Sequence, residues 1–357
     1  MEYHYAAGLF TQKVAFGTNS DPLVLEANVV RMQDGGLFLS WTGDGSVEPT
    51  VQNRCYFSKS YDNGRTWEEK TVFFSHPRKG MFTPEIFTYK DKLFAFPCSY
   101  YNIDESSFAQ DCHSYISVSS DCGKTFSAPS SIGNAINNVH IKDHLVIGKR
   151  ILLSCSWIEC HGEGWAWFKG GNKDCIVAGK QYREEDFQGL SATEYCGVMI
   201  SDDDGNSWRL SGRLGVKDTH YVEPVLTSLS DGTIVMFIRR EDVPYIFESR
   251  SKDNGESWSE AVNTGIPSSI TKVAFAKDKK GRIYLLHNPK GKRNPLSLWV
   301  SDDDMRTWRV KVDLVSCDEK RKLAYPDAFI DEDRQMLCFG WDDRRNIYYS
   351  EYYIGDL

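Results

Sequence analysis

The chain has 357 residues, and its 13% aromatic content favours packed β-strands over helix bundles. Its formal net charge of −8 argues against nucleic acid as a partner, because phosphate binding needs a basic surface. No stretch approaches the roughly 18 consecutive apolar residues that span a bilayer, so we expect no membrane partner.

The first residues, Met1 to Tyr5, contain no basic region followed by an apolar run, so they do not resemble a secretory signal. The ten cysteines are scattered and include no CxxC pair. A long chain of this kind is typical of a cytoplasmic protein with reduced thiols, and secretion would require a leader that has been trimmed. We expect a cytoplasmic location, no metal and no cofactor.

A short motif, S-x-D-x-G-x-[ST]-[WF], recurs five times. Its copies are identified by their aspartates: Asp62, Asp121, Asp203, Asp253 and Asp303. The last copy carries Met305 where the others have Gly. In such a turn the carboxylate accepts backbone N–H bonds, Gly supplies a positive φ, and the aromatic ring packs between strands. We therefore interpret these aspartates as structural rather than catalytic.

The spacing of the motif predicts the architecture. Successive copies lie 59, 82, 50 and 50 residues apart, and a period near 50 fits one four-stranded propeller blade. The excess in the second interval predicts an insertion loop at about 157–195. Its aromatic residues, among them Trp157, Trp165 and Trp167, either stack on sugar faces or pack on one another.

Six strand-like runs recur at equivalent positions: 36–41, 92–97, 150–155, 233–238, 282–287 and 334–339. The sequence therefore predicts one all-β domain over residues 1–357, a six-bladed β-propeller. Residues 8–17 can supply the outer strand that the last blade lacks, so that the N-terminal strand closes the ring and removes its open edge.

The repeated motif resembles the Asp box of the sialidase (neuraminidase)-like superfamily of BNR repeat proteins, and the likeness extends over nearly the whole chain. The resemblance implies a role for four residues. Glu223 lies in a segment similar to that of the glutamate that activates the nucleophile, and Tyr325 in one similar to that of the nucleophilic tyrosine. Arg239 and Arg293 resemble the second and third arginines that bind the substrate carboxylate.

Two features depart from the family pattern. Glu26 occupies the register of the first arginine, and Arg31 is out of register. For the acid/base residue, the loop after the first blade's hairpin strand offers both Asp44 and Glu48. The pattern is closer to the bacterial and plant sialidase-like branch, whose substrates are poorly assigned. Asp327 is a further candidate for substrate binding.

The glutamate at position 26 bears on the substrate. It would repel a carboxylate and accept hydrogen bonds from sugar hydroxyls. The substrate is therefore expected to be a sugar other than sialic acid, either a uronic acid held by the two remaining arginines or a neutral glycan.

The resemblance implies a sialidase-like exo-glycosidase that hydrolyses a terminal sugar through Tyr325. Because a free phenol has a pKa of about 10, Glu223 would have to take its proton. Two alternatives stay open, a propeller polysaccharide lyase that acts on uronates and a non-catalytic propeller that binds glycans. All three take a carbohydrate as partner.

Overall fold

The computed structural model describes residues 2–48, 50–77, 79–101, 111–132, 139–161, 174–177, 180–183, 191–217, 219–318 and 321–357. Within them the strands form six antiparallel sheets and one separate hairpin. The six sheets are the blades of a β-propeller, as the sequence predicts. The described residues contain no helix that is long and apolar enough to cross a membrane.

The first half of the chain contains two N-terminal strands and three blades. The N-terminal strands are β1 (Tyr3–Tyr5) and β2 (Phe10–Phe16). The first blade is β3 (Val24–Arg31), β4 (Leu37–Gly43), β5 (Arg54–Ser60) and β6 (Thr71–Phe74). The second is β7 (Gly80–Tyr89), β8 (Lys92–Tyr101), β9 (Asp111–Ser119) and β10 (Ser130–Ser131). The third is β11 (His140–Ile147), β12 (Arg150–His161), β15 (Ser191–Ser201) and β16 (Arg209–Leu214), with the hairpin β13 (Asp174–Val177) and β14 (Lys180–Arg183) between β12 and β15.

Three further blades complete the ring. The fourth is β17 (Tyr221–Ser228), β18 (Ile234–Arg240), β19 (Tyr245–Ser251) and β20 (Val262–Pro267). The fifth is β21 (Ala274–Lys277), β22 (Ile283–His287), β23 (Leu296–Ser301) and β24 (Val310–Cys317). The sixth is β25 (Ala324–Asp331), β26 (Met336–Asp342) and β27 (Asn346–Tyr353).

The six predicted strand runs are the second strands of the six blades, β4, β8, β12, β18, β22 and β26. Their apolar side chains are buried because both faces of each blade pack against a neighbour. Six hydrophobic clusters each join two adjacent blades, including the cluster between the last blade and the first. The core is therefore a closed ring of interfaces around an axis.

The N-terminal strands close this ring. β2 pairs with β27 as the outer strand of the sixth blade, with Gln12 opposite Tyr349, which confirms the prediction for residues 8–17. The hydroxyls of Thr11 and Ser350 lie 2.9 Å apart across the pair. β1 adds a fifth strand to the fifth blade beside β24. Both ends of the chain thus contribute to one blade, in which β2 covers the edge that β27 would otherwise expose.

The recurrent motif forms the predicted turn. In the first copy, Asp62 accepts hydrogen bonds from the backbone N–H groups of Arg65 and Thr66 at 3.0 and 2.9 Å. It also accepts one from the Thr66 hydroxyl at 2.6 Å. Gly64 has a φ of +77°, and Met305 adopts +62° at the same place in the last copy. These aspartates fix turns, as the sequence indicates.

The expected insertion at about 157–195 falls mostly outside the described residues, including Trp165 and Trp167, and its extent stays a prediction. Trp157 is described, and it is not a loop residue. It lies within β12, is only 2% exposed, and its ring centroid is 6.0 Å from that of Tyr195. Of the two alternatives, Trp157 fits packing rather than stacking on sugar, because it lies in the core between the second and third blades.

Candidate active site

The innermost strands of the blades surround the propeller axis, and five of them are interrupted by a β-bulge near their N-terminal ends. The residues skipped by the pairing include Glu26, Thr83, Lys142, Glu223 and Tyr325. Three of these have positive φ angles, 57° at Glu26, 49° at Glu223 and 48° at Tyr325. Because bulges re-aim side chains, one local backbone feature places three of the predicted site residues.

The predicted nucleophile and its partner meet at Arg239. Nη1 of Arg239 lies 2.6 Å from the carboxylate of Glu223 and 3.5 Å from the hydroxyl of Tyr325. Nη2 donates a 2.6 Å hydrogen bond to Glu241. Tyr325 and Glu223 are both buried. The structure therefore brings a phenol, a carboxylate and a guanidinium into one cluster.

Charge sets the protonation states in this cluster. Burial and the negative charge of Glu223 raise the pKa of Tyr325 to about 12, against the opposing effect of Arg239. Burial raises the pKa of Glu223, but the positive charges of Arg239 and Lys142 outweigh that effect and lower it to about 2. In the free protein, Tyr325 thus holds its proton firmly and Glu223 is a weak base.

Arg293 lies against the other side of Tyr325. Its guanidinium carbon is 5.4 Å from the centroid of the phenol ring, and Nη2 donates to the carbonyl of Ile270 at 2.8 Å. Its own carbonyl accepts the N–H of Leu323 at 2.8 Å, which ties it to the tyrosine segment. Within the described part of the chain, no carboxylate pairs with Arg293, so its charge is available to a ligand.

Glu26 is paired with Lys142, a residue that the sequence reasoning missed. The ammonium lies 3.2 Å from the carboxylate, and both side chains are only 10% exposed. The backbone N–H of Glu26 donates to Asp342 at 2.9 Å. Lys142 and Glu26 line a small cavity together with Tyr325 and Lys272. The negative charge expected at position 26 is therefore offset by an adjacent ammonium.

The two candidate acid/base residues have different surroundings. Glu48 is bonded through Oε1 to Arg344 at 2.6 Å, and its Oε2 is buried with no partner among the described residues. Asp44 accepts a 2.5 Å hydrogen bond from the hydroxyl of Tyr56, a neighbour in the same blade. The negative charge of Glu48 contributes to the raised pKa of Tyr325.

Asp327 is separated from the Tyr325 cavity. Its carboxylate accepts the N–H of Val29 at 2.7 Å, which links the last blade to the first. It lines a second axial cavity of about 320 Å³ to which Tyr325 does not contribute. Burial raises the pKa of Asp327 to about 6. Asp327 therefore serves the joint between two blades, and its predicted contact with substrate gains no support from this placement.

One cluster in the described residues has the composition of a metal site. Ligand atoms of Glu85, Asp143 and His144 lie within 4.8 Å of one another. Each already has a protein partner, because His144 Nδ1 is 2.6 Å from Glu85 and Asp143 accepts the N–H of Leu226 at 2.5 Å. These hydrogen bonds satisfy the cluster without a cation, so it does not by itself indicate a metal.

Comparison with known proteins shows the family of the chain. The chain matches the model of the BNR repeat-like domain over residues 35–338. No curated protein sequence matches the chain.

Solved structures share the fold at low identity. A Hadza microbial sialidase superposes with a TM-score of 0.71 and 12% identity, over 93% of this chain and 66% of that one. The sialidase of Trypanosoma rangeli, in complex with the inhibitor DANA, superposes with a TM-score of 0.70 and 14% identity, over 98% of this chain and 60% of that one. A Dyadobacter fermentans protein of unknown function superposes with a TM-score of 0.71 and 16% identity, over 97% of this chain and 99% of that one. This chain thus spans two thirds or less of both sialidases, and the likeness establishes the fold alone.

Proposed function

Because the chain belongs to the BNR repeat-like domain family, we propose that it is a retaining exo-glycosidase that hydrolyses a terminal acidic sugar with Tyr325 as nucleophile. The observation that carries the proposal is the contact of one guanidinium, that of Arg239, with both Glu223 and Tyr325. The sialidase structures that share the fold support the same class of reaction.

In the first step the phenol oxygen of Tyr325 attacks the anomeric carbon, and the bond to the leaving oxygen breaks. The phenolic proton passes to Glu223, and Glu48 gives its proton to the leaving oxygen. A neutral phenol suits an acidic sugar, because a carboxylate nucleophile would be repelled by the substrate's own charge.

In the second step a water molecule loses a proton to Glu48 and its oxygen attacks the anomeric carbon. Tyr325 departs and recovers its proton from Glu223. Two displacements at one carbon give net retention of configuration. Glu48 is preferred to Asp44 as the acid/base because its free oxygen is buried, whereas Asp44 is held by Tyr56.

The charge of the site supports an acidic substrate. Two of its cations, Arg293 and Lys272, have no carboxylate within 4 Å among the described residues, and both lie beside Tyr325. Lys142 offsets the repulsion expected from Glu26. A carboxylate on the sugar would meet two cations that are not in ion pairs, and a uronic acid is a suitable first candidate.

The experiment is a screen of aryl glycosides of sialic acid, uronic acids and neutral sugars, with NMR detection of the first anomer released. We expect retention of configuration. Tyr325→Phe should lower kcat by at least about 10³-fold while substrate binding persists. Tyr221→Phe, at a buried tyrosine whose ring packs on Phe247, is the matched control.

Three results would contradict the proposal. The first is inversion of configuration, and the second is full activity of the Tyr325→Phe variant. The third is an unsaturated product absorbing in the ultraviolet, which would identify a lyase instead.

A further inference from the structure

Both amino groups of Arg239 are engaged inside the protein before any substrate arrives. Its two amino groups each lie 2.6 Å from a different carboxylate, Glu223 and Glu241, and its side chain is only 11% exposed. Its Nε is buried with no hydrogen-bond partner among the described residues. A guanidinium held in this way is not poised to bind a substrate unless one of its bonds is exchanged.

The same contact restrains the base. A carboxylate in a 2.6 Å charge-assisted hydrogen bond is stabilised in its ionised form. Lys142 and Arg293 add further positive charge around Glu223. As long as Arg239 holds it, Glu223 is poorly able to accept the proton of Tyr325.

Arg293 provides the entry point for an anion. It faces Tyr325, is half-buried, and donates one hydrogen bond to a backbone carbonyl. An anion that binds Arg293 beside the phenol ring also approaches Arg239, because Arg239 is 3.5 Å from the Tyr325 hydroxyl. The substrate's charge can therefore compete with Glu223 for Arg239.

We propose that the anionic group of the substrate switches on the general base: in binding Arg293 and Arg239, it draws Arg239 away from Glu223 and frees that carboxylate to take the proton of Tyr325. Glu241 is a positioning residue, because it retains the second amino group of Arg239 during the exchange. This inference rests on the proposed function. It makes the carboxylate of the sugar a determinant of kcat and not of KM alone.

A kinetic test compares an aryl uronide with the neutral aryl glycoside that lacks only the carboxylate. Trifluoroacetate, which stays ionised across the usable pH range, serves as a detached anion. We expect it to raise kcat for the neutral glycoside several-fold and to inhibit the uronide competitively. Arg239→Gln should abolish the kcat advantage of the uronide. Arg240→Gln, which removes a neighbouring arginine paired with Asp242, should behave as wild type.

A second test needs no turnover. The ¹³C signals of glutamate carboxyl groups are followed through an acid titration, with the Glu223 signal assigned from Glu223→Gln. Trifluoroacetate, and separately Arg239→Gln, should move the Glu223 titration up by about one to three pH units.

A Glu223 titration that trifluoroacetate leaves unchanged overturns the switch, as does a neutral glycoside whose kcat the anion does not raise. Absence of turnover with every glycoside would count against the proposed function, and the titration would still decide the switch.

Discussion

Glu48 and Arg344 form a 2.6 Å ion pair that joins the first blade to the last, and the second oxygen of Glu48 is buried without a partner in the described part of the chain. Burial raises the pKa of Glu48 although Arg344 opposes the shift. A carboxyl group that keeps its proton to a higher pH than usual is suited to protonate a leaving group.

Glu48→Gln should therefore lower kcat/KM by about 10²–10⁴-fold for substrates with poor leaving groups, and far less for dinitrophenyl glycosides, which need no proton. In the wild type, activity should fall as the pH rises through the raised pKa of Glu48, because the acid form is lost. The variant should lack this limb of the pH profile. Asp44→Asn is the control. If only that variant loses activity selectively towards substrates with poor leaving groups, Asp44 and not Glu48 is the acid.

The buried pair of Glu26 and Lys142 predicts a stability effect. Glu26→Gln leaves the Lys142 ammonium in a site that is 10% exposed without its counter-charge, which should cost about 3–5 kcal/mol in the free energy of unfolding. In the double variant, Lys142→Met also removes the unpaired ammonium, which should restore most of the lost free energy of unfolding. Urea unfolding of the three proteins measures this. A double variant no more stable than Glu26→Gln would show that the unpaired ammonium of Lys142 is not the cause of the loss.

The turn motif predicts an acid-sensitive component of stability. Hydrogen bonds from the Thr66 hydroxyl and backbone N–H lower the pKa of Asp62 from 3.8 to about 2. Because the folded-state pKa is lowered, its contribution to stability is present above pH 4 and is lost as the pH falls towards 2. Asp62→Asn should be less stable than wild type at pH 6, and the difference should shrink at pH 2–3. Denaturation midpoints across this range test it, and a constant difference would contradict it.

Closure of the ring predicts the effect of removing residues 1–17. The sixth blade would lose β2 and its pairing with β27, and the edge of β27 would be unpaired. We expect a lower melting temperature, a broader transition and faster proteolysis. Removal of residues 1–7 is the control, since β2 is retained and only β1 leaves the fifth blade. Equal melting of the two truncated proteins would show that the pairing of β2 with β27 does not stabilise the propeller.

The number of blades and the turn geometry follow from the amino-acid sequence alone, because each recurrent turn is made by residues within four positions of one another, such as Asp62 and Thr66. Short segments also indicated Glu223 and Tyr325 as candidates, and the structure brings both to Arg239. The electrostatic partners were not: Lys142 is 116 residues from Glu26, and Arg344 is still farther from Glu48.

Only closure of the ring brings such residues together. No short sequence pattern indicates which charged side chains will pair in the folded protein. The tertiary structure therefore decides that Glu26 is paired with an ammonium, that Glu48 is held by Arg344 and Asp44 by Tyr56, and that Arg239 is held by two carboxylates. Coulombic interactions depend on distance and burial, which are properties of the assembled propeller.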